Sequence, residues 1–197
     1  MRRKTILAKI FLYSLAIAII ISISPLLFEK YIQLKEPFFI YPLHGQREFC
    51  VRADNLGDGH FGARRSNGRR RHKGLDILGK VGETVVASKS GRVKTGEVAR
   101  GMGKYVTITH FDGYKTIYGH LNYITVKDKS WIWQGEKLGE VGKSGNASYP
   151  DMQVHLHFEI RKDGVAQDPL PYINEAPGFR SRSPFQCPSG GILRSSA

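Results

Sequence analysis

The sequence contains few cysteines, few acidic residues and, over one long stretch, no charge at all. Its two cysteines, Cys50 and Cys187, are far apart, and neither belongs to a C-x-x-C pair, so neither is assigned to a zinc site. Acidic residues number 17 against 30 lysines and arginines, which gives a formal net charge of +13. A chain of 197 residues has room for one core of ordinary size and a targeting segment.

The uncharged stretch runs from Ile10 to Phe28. At about 1.5 Å per residue it would form a helix of roughly 28 Å, close to the ~30 Å hydrocarbon thickness of a bilayer. Arg2, Arg3 and Lys4 precede it, so the positive-inside rule places the N-terminus in the cytoplasm and the chain after Phe28 on the far side. The sequence therefore predicts a single-pass protein of the inner or cytoplasmic membrane, with its main domain on the periplasmic or extracytoplasmic side.

A signal peptide removed on export is the alternative interpretation of this stretch. The apolar region of a signal peptide is normally about 7–15 residues long, shorter than the one here. The best small-residue pair, Ser22 and Ser24, is followed by Pro25, a poor context for cleavage. The length therefore favours an uncleaved anchor, and both interpretations export the rest of the chain.

Export bears on the cysteines and on the excess of positive charge. Outside the cytoplasm Cys50 and Cys187 can form a disulfide, for which the long loop gives a chain-entropy contribution of about 5 kcal/mol. Six of the ten residues from Arg64 to Lys73 are Arg or Lys, and none is acidic. This run predicts either a solvated loop or attraction to a polyanion. For an exported domain the polyanion would be an anionic wall polymer or a lipid head group rather than nucleic acid.

Short β-type runs separated by turns dominate the chain beyond His72. The turn signals are Ser90-Gly91, Asp112-Gly113 and Asp163-Gly164. The runs are Thr84–Ser88, Arg92–Val98, Lys104–His110, Tyr114–Tyr118, Lys137–Val141 and Val154–Ile160. No helical pattern of useful length follows the anchor. The predicted fold is all-β, an antiparallel sheet arranged as a sandwich or a partly closed barrel, behind one N-terminal transmembrane helix.

The stretch from Val154 to Ile160 carries the most chemical information. Because strand side chains alternate between faces, Val154, Leu156, Phe158 and Ile160 are expected to point into a core. Two histidines and a glutamate then lie side by side on the opposite face: His155, His157 and Glu159. Two imidazoles at i and i+2 can approach one small target together, although a polar face with incidental histidines fits the same pattern.

Two further motifs supply histidines and a carboxylate. His72 and Asp76 form an H-x-x-x-D pair, and Gly74 between them allows a bend that brings both side chains together. Adding His157 gives a set of two nitrogens and one oxygen, which leaves the fourth tetrahedral position open for water, as in catalytic zinc sites. His120, in the segment Tyr118-Gly119-His120-Leu121, ends a predicted strand from which it can reach such a site.

These motifs resemble the lysostaphin-type (LytM-like) zinc metallopeptidases, whose signatures are H-x-x-x-D, H-x-H and a histidine in a Y-x-H-L-like segment between them. All three occur here in the same order, and the likeness covers about residues 60 to 172. Four further segments carry it: Phe61–Arg64, Gly82–Ala87, Gly135–Gly139 and Asp168–Tyr172. The domains expected are a basic tip and signal-anchor over 1–28, a tether and lead-in over 29–48, a LytM-like domain over 49–172 and a loose tail over 173–197.

The resemblance implies a role for each motif residue. It implies one Zn²⁺ per chain, held by His72, Asp76 and His157, with His120 and His155 as catalytic histidines that do not bind the metal. It also implies an endopeptidase that acts on peptidoglycan. Arg64 and Tyr118 are candidate substrate contacts. Arg64, together with Arg65 and Arg69–Arg71, could bind carboxylates of a stem peptide. The sequence departs from the family in one place. The family has a proline directly before the first histidine of H-x-H, whereas here Asp151–Val154 separate Pro150 from His155. This difference puts the choice of substrate in doubt.

Two other classes of function remain for comparison. Some proteins with this fold have lost ligands and act as catalytically silent activators of other wall hydrolases, but here the ligand set is complete. A biotinyl- or lipoyl-like carrier domain would need a modified lysine at a hairpin tip, for which Lys89 is the candidate. The export segment and the histidines argue against the carrier.

Overall fold

The computed structural model describes residues 2–45, 48–174 and 180–181, and the chain divides into two compact units, residues 1–37 and 38–197. The first unit consists of the helix α1, Arg2–Lys35. Its stretch Lys9–Lys35 is long and apolar enough to cross a membrane, with a mean hydropathy of 2.4 and none of its most apolar window buried. The helix continues beyond Phe28, where the uncharged stretch ends, because side-chain pairs such as Gln33 Nε2 to Glu29 Oε1 (3.2 Å) support a polar turn.

Pro25 lies inside α1 without ending it. A proline has no N–H to donate to the carbonyl four residues earlier, here that of Ile21. The hydroxyl of Ser24 donates to that carbonyl instead, over 3.3 Å. The helix therefore compensates in part for the missing backbone hydrogen bond.

The second unit is built from short strands. Its strands are β1 Glu48–Phe49, β2 Ala53–Asp54, β3 Gly57–Asp58, β4 Arg64–Arg65, β5 Arg70–Arg71, β6 Leu75–Leu78, β7 Thr84–Val86, β8 Gly91–Glu97, β9 Lys104–Thr109, β10 Tyr114–Ile124, β11 Trp131–Ile132, β12 Lys137–Val141, β13 His155–Lys162, β14 Val165–Gln167 and β15 Arg180–Ser181. A 3₁₀ turn covers Gly145–Ser148, and a short helix, α2, covers Pro169–Asn174.

Nine strands form one antiparallel sheet, in the order β11-β8-β9-β10-β12-β7, with β13 pairing with β10, β6 and β14. The long strand β10 is central because it pairs with β9 on one side and with β13 and then β12 on the other. The prediction of an antiparallel all-β domain is confirmed. The sheet does not close into a barrel, because β13 pairs with β6 and β14 instead of completing a ring. Among the residues that the structure describes, three small pairs lie outside it: β2-β3 and β4-β5, which are antiparallel, and β1-β15, which is parallel.

The core lies on one face of this sheet and follows the alternation expected for β13. Leu156, Phe158 and Ile160 have no exposed surface, and Val154 packs against them while partly buried. Tyr118 contributes to the same core, with its ring centroid 5.3 Å from that of Phe158. The functional face of β13 is thus fixed by which residues fill the core.

The lead-in segment contributes to this core. Phe39, Tyr41 and Leu43 are each at most 4% exposed, and Leu43 forms a bridge with Val85 of β7. Part of the stretch expected as a tether over 29–48 therefore packs as the first layer of the domain. The segment runs along β7: the N–H groups of Ile40 and His44 donate to the carbonyl oxygens of Ser88 and Thr84, and Pro42, which has no N–H to donate, accepts from the N–H of Val86.

The structure bears differently on the carrier-lysine alternative and on the predicted disulfide. Lys89 is only 7% exposed, forms an ion pair with Asp112 and lies 4.9 Å from the ring centre of Phe39. It is therefore not displayed as a carrier lysine would be. Cys50 is buried, but Cys187 lies outside the described residues, so their pairing stays a prediction. Residues 175–179 and 182–197 of the expected tail also lie outside them.

Candidate metal centre

Strands β6 and β13 bring the motif residues together. The strands pair antiparallel with Asp76 opposite His157 and Leu75 opposite Phe158. His72 precedes β6, and the glycine between them, Gly74, packs so tightly on β13 that a Cβ there would lie 2.5 Å from the carbonyl oxygen of Phe158. The H-x-x-x-D motif is therefore held directly over the H-x-H strand.

Three potential ligand atoms form a nearly equilateral triangle. His72 Nε2 lies 3.1 Å from His157 Nδ1 and 3.0 Å from Asp76 Oδ1, and His157 Nδ1 lies 2.8 Å from the same oxygen. All three side chains are buried, with exposures of 3 to 8%. Within the described residues, these three form a group able to hold a metal ion.

The second nitrogen of each histidine defines which atoms face the triangle. His72 Nδ1 lies 2.9 Å from the carbonyl oxygen of His60, which can only accept, so this nitrogen carries the hydrogen. His157 Nε2 lies 3.1 Å from Glu159 Oε1 and donates to it in the same way. When both rings are neutral, the inward nitrogens carry lone pairs, which converge with a carboxylate oxygen. Three acceptors at such distances repel one another unless a proton or a cation lies between them.

The geometry and chemistry of this donor set fit a zinc ion. Zinc–ligand distances of 2.0–2.1 Å in a tetrahedron separate neighbouring ligand atoms by about 3.3 Å, slightly more than the edges of this triangle. Two imidazoles and one carboxylate, oriented from behind by a carbonyl and a second carboxylate, are the usual environment of a catalytic zinc. Small side-chain rotations would suffice to admit the ion.

The pKa values of Asp76 and His157 are shifted because their side chains meet at this triangle. Burial alone would raise the pKa of Asp76 and lower that of His157, but hydrogen bonds and neighbouring charges together outweigh it. The pKa of Asp76 is held well below its usual value by His157 and His72. The pKa of His157 rises to about 9 through Asp76 and Glu159. A zinc ion bound here would displace the proton that His157 otherwise shares with Asp76.

Two further histidines stand beside the triangle. The ring centroid of His120 lies 4.9 Å from that of His155 and 5.8 Å from that of His157. His155 Nε2 lies 3.9 Å from Asp76 Oδ1. Each Nδ1 is held by a carbonyl oxygen: that of Ser144 for His120, over 2.9 Å, and that of Gln153 for His155, over 2.7 Å. Both Nε2 atoms are therefore free to exchange protons with a substrate or water.

An irregularity in β10 turns His120 toward this site. Tyr118 and Leu121 both point into the core although they are three positions apart, so strict alternation fails between them. The pairing with β9 shifts register at this point, and His120 adopts a positive φ of 63°. Its N–H donates to the carbonyl oxygen of Met102 over 2.7 Å. This bulge places His120 on the same face as His157.

Burial keeps both of these histidines neutral. Desolvation, reinforced by His155 and His157, lowers the pKa of His120 to about 3. Desolvation also lowers the pKa of His155, against the opposing influence of Asp76. Neutral imidazoles with a free Nε2 lone pair are suited to accept a proton.

Four histidines and two carboxylates of the site line a cleft of about 1020 Å³. Its basic side chains outnumber its two acidic ones, Asp76 and Glu159. The basic residues of the lining are Arg52, Arg65, Arg70, Arg71, Lys73 and Arg161. Met152 and Tyr149 line it as well, which places part of the segment that departs from the family pattern at the cleft rim.

The structure does not bring the two predicted substrate contacts to the cleft. Arg64 is exposed on β4 and does not line it, whereas its neighbour Arg65 does, since strand neighbours face opposite sides. Tyr118 has no exposed surface, and its hydroxyl accepts a hydrogen bond from the backbone N–H of Ser88 over 2.8 Å. Tyr118 is therefore a core residue.

Sequence reasoning missed one buried residue of the site, Arg52. It is 2% exposed and donates to Asp76 Oδ2 from Nε and Nη2, over 3.3 and 3.2 Å. Arg52 is a single arginine in a loop-like stretch, and the residues around it form no motif that would indicate a role in the site. Glu159 was placed on the correct face by alternation, but its role behind His157 depends on the fold.

The remaining histidines lie outside the site. His60 is largely exposed and pairs with Asp58, and only its carbonyl supports the triangle. His44 is exposed. His110 is buried between the Ser90 carbonyl and the Thr116 hydroxyl, at 2.8 and 3.0 Å.

Comparison with known proteins places this site in a family context. The sequence profile of Peptidase family M23 matches residues 70–169. Stage II sporulation protein Q of Bacillus subtilis (strain 168) is 38% identical over 105 residues, 52% of this chain and 36% of that protein. Murein hydrolase activator NlpD of Salmonella dublin is 36% identical over 103 residues, 52% of this chain and 26% of that protein. The chain thus spans little more than a third, at most, of these curated relatives.

Solved structures share the fold of this domain. A zinc containing peptidase from Vibrio cholerae superposes with a TM-score of 0.54 and 27% sequence identity, over 68% of this chain and 39% of that one. The family found by sequence and the fold shared with a solved peptidase therefore agree.

Proposed function

The chain belongs to peptidase family M23, and we propose that it is a zinc-dependent endopeptidase that hydrolyses peptide bonds of peptidoglycan, in stem peptides or in cross-links. The observation that carries the proposal is the complete site: a triangle formed by His72, Asp76 and His157, with His120 and His155 beside it. A ligand set with an open fourth position and two neutral histidines is what metal-assisted hydrolysis requires.

The chain's own residues divide the work around the metal. When bound by His72, Asp76 and His157, zinc would supply Lewis acidity, polarising the scissile carbonyl and lowering the pKa of a water molecule. His155, whose Nδ1 is occupied by the Gln153 carbonyl, accepts the proton of the attacking water at Nε2. His120, held through Nδ1 by Ser144, presents a second Nε2 on the adjacent side, suited to carry a proton toward the leaving amine.

The cleft lining supports an anionic substrate. Arg70, Arg71 and Lys73 have no acidic partner among the residues that the structure describes, whereas Arg52 and Arg161 are paired with carboxylates. Unpaired guanidinium groups at a cleft rim can form bidentate bonds with carboxylates. Peptides of the cell wall carry such groups, so peptidoglycan is the proposed partner.

The helix α1 supports an envelope location. We propose that it anchors the chain in the inner or cytoplasmic membrane with the second unit on the extracytoplasmic side, as its length, apolar surface and preceding basic residues favour. The expected result is that the native protein fractionates with membranes and retains its N-terminal segment. A mature N-terminus near Ser24 or Phe28 would contradict an uncleaved anchor.

A second candidate function is activation of another wall hydrolase without catalysis. The observation that favours it is the name of one relative, the murein hydrolase activator of Salmonella dublin. The matched region is a quarter of that protein, so its activity does not transfer directly to this chain. Tight zinc binding without release of peptides from any wall substrate would favour this alternative.

The test is digestion of purified peptidoglycan by the purified full-length protein, with the product masses identifying the bond that is cut. We expect released peptides, loss of activity with a chelator and recovery with zinc. His72→Ala should abolish zinc binding, whereas His155→Ala should bind zinc and turn over poorly, by about 10²–10⁴-fold. Undiminished activity of the His72→Ala protein would contradict the assignment.

A further inference from the structure

The carboxylate of Asp76 divides its two oxygens between different partners. Oδ1 faces His72 and His157, at 3.0 and 2.8 Å. Oδ2 points away from the triangle and accepts from Arg52 Nε and Nη2, at 3.3 and 3.2 Å, and from Arg65 Nη2, at 3.3 Å. These donors leave one oxygen for a metal, so they determine how Asp76 presents itself to the ion.

The donor Arg52 is fixed by more than this contact. Its backbone N–H donates to the carbonyl oxygen of Asp76, and the N–H of Asp76 donates to the carbonyl oxygen of Gly59, both over 2.8 Å. The carbonyl oxygen of Arg52 accepts from the N–H of Gly59, also over 2.8 Å. A Cβ on Gly59 would lie 2.8 Å from Asp76 Cβ, so this segment is packed directly against the ligand.

The remaining guanidinium nitrogen of Arg52 continues the network away from the metal position. Nη1 lies 2.6 Å from Asp54 Oδ1 in a buried ion pair, both side chains being at most 5% exposed. Asp54 Oδ2 accepts from the backbone N–H of Gln153 over 3.1 Å. The carbonyl oxygen of Gln153 in turn accepts from His155 Nδ1 over 2.7 Å.

This chain of contacts joins the two halves of the site. It starts at the metal ligand Asp76 on β6 and passes through Arg52 and Asp54. It ends at the loop before β13, where Gln153 orients His155. Neither Arg52 nor Asp54 lies within residues 70–169, the part matched by the family profile.

We propose that Arg52 and Asp54 are positioning residues that set the coordinating oxygen of Asp76 and couple it to the orientation of His155. The inference rests on the proposed metal site and goes beyond it. The planar guanidinium is needed because it can donate two bonds to one carboxylate while reaching another, which a lysine ammonium cannot do in the same geometry.

The test measures zinc affinity of the full-length protein by competition with a chromophoric chelator. Arg52→Gln is expected to weaken zinc binding by about 10–100-fold, the usual effect of removing a group that orients a ligand. Arg52→Lys should restore only part of this affinity. Arg92→Gln is the matched control, because Arg92 is exposed on β8 and bonds to the Lys129 carbonyl outside the cleft; its zinc affinity should equal that of the wild type.

A double variant tests whether the two residues act as one unit. Asp54→Asn alone should weaken zinc binding by about threefold or more, and it carries the test if Arg52→Gln does not fold. The Arg52→Gln/Asp54→Asn protein should lose no more affinity than Arg52→Gln does, because residues in one network are not additive. Replacing zinc with Co²⁺ gives a second measurement, since the visible spectrum should change in the Arg52 variants if Asp76 gains a second coordinating oxygen.

The outcomes separate this inference from the proposed function. Wild-type affinity in both folded Arg52→Gln and Asp54→Asn, or full recovery in Arg52→Lys, would overturn the positioning role while leaving the metal site intact. Additive losses in the double variant would overturn the coupling. A wild-type protein that binds no zinc would overturn the metal site itself and the inference with it.

Discussion

Replacing Gly74 by alanine provides a severe test of the proposed metal centre without touching a ligand. The added methyl would lie 2.5 Å from the carbonyl oxygen of Phe158, 2.9 Å from Glu159 Cγ and 2.9 Å from His157 Cε1. Cβ contacts shorter than 3.0 Å are essentially never seen, so β13 or the segment before β6 must move by about half an ångström or more.

A displacement of this size exceeds what the site tolerates. Zinc–ligand distances in proteins stay within about 0.2 Å of their usual values. The methyl also presses on the imidazole of His157 itself, whose two nitrogens are held by Asp76 and Glu159. We therefore expect Gly74→Ala to weaken zinc binding by about tenfold or more, and to lower the free energy of unfolding by about 1–3 kcal/mol.

The assay is chelator competition for zinc, with thermal unfolding of the same samples. Gly164→Ala is the matched control, because it lies in the turn that follows β13, has φ of +86° and has no atom within 4 Å of the added methyl. The control should lose about 1 kcal/mol from backbone strain and keep its zinc affinity. Unchanged zinc binding in folded Gly74→Ala would refute the claim that the approach of the strands sets the ligand geometry.

Three further predictions concern groups around the site and in the core. Burial lowers the pKa of His110 to about 4, so between pH 6.5 and 4 the unfolded chain binds a proton that the folded chain does not. The free energy of unfolding should therefore fall by roughly 3 kcal/mol as the pH is lowered through this range. Thermal melts should show a flatter pH dependence for His110→Gln. Glu159→Ala should weaken zinc binding by about 10–100-fold, because His157 loses its orienting acceptor; an unchanged chelator titration would contradict this. Tyr118→Phe should cost about 1–3 kcal/mol by leaving the Ser88 N–H unpaired, with KM unchanged; a raised KM with unchanged stability would restore a substrate role.

The parts of the site that the sequence predicted depend on local periodicity. Alternation along β13 assigns Leu156 and Phe158 to the core and leaves His155 and His157 on the other face, and the structure has the same division. The positions of the antiparallel strands follow from the same signal. Periodicity needs only neighbouring residues, so it is readable without knowing what packs against the strand.

The parts that the sequence did not predict depend on packing between distant segments. Nothing around Arg52 indicates that its guanidinium lies against Asp76, 24 residues later. The register shift that turns His120 toward the cleft is not encoded in alternation, which would have placed it on the side of Tyr118. Arg64 and Arg65 were predicted together as contacts for carboxylates, and the sequence did not indicate that, of the two, only Arg65 lines the cleft.

Two features of the site carry an energetic cost, and both fit the proposed zinc site. His120 adopts a left-handed backbone conformation, which costs a non-glycine residue about 1 kcal/mol or more. His72, Asp76 and His157 direct three acceptor atoms to one point inside the protein, where they repel unless a proton or a cation intervenes. Without a metal, the proton that His157 shares with Asp76 relieves this repulsion. A zinc ion held by the three residues would replace that proton, and the positive φ of His120 turns its ring toward the position where the proposed peptidase would hold its substrate.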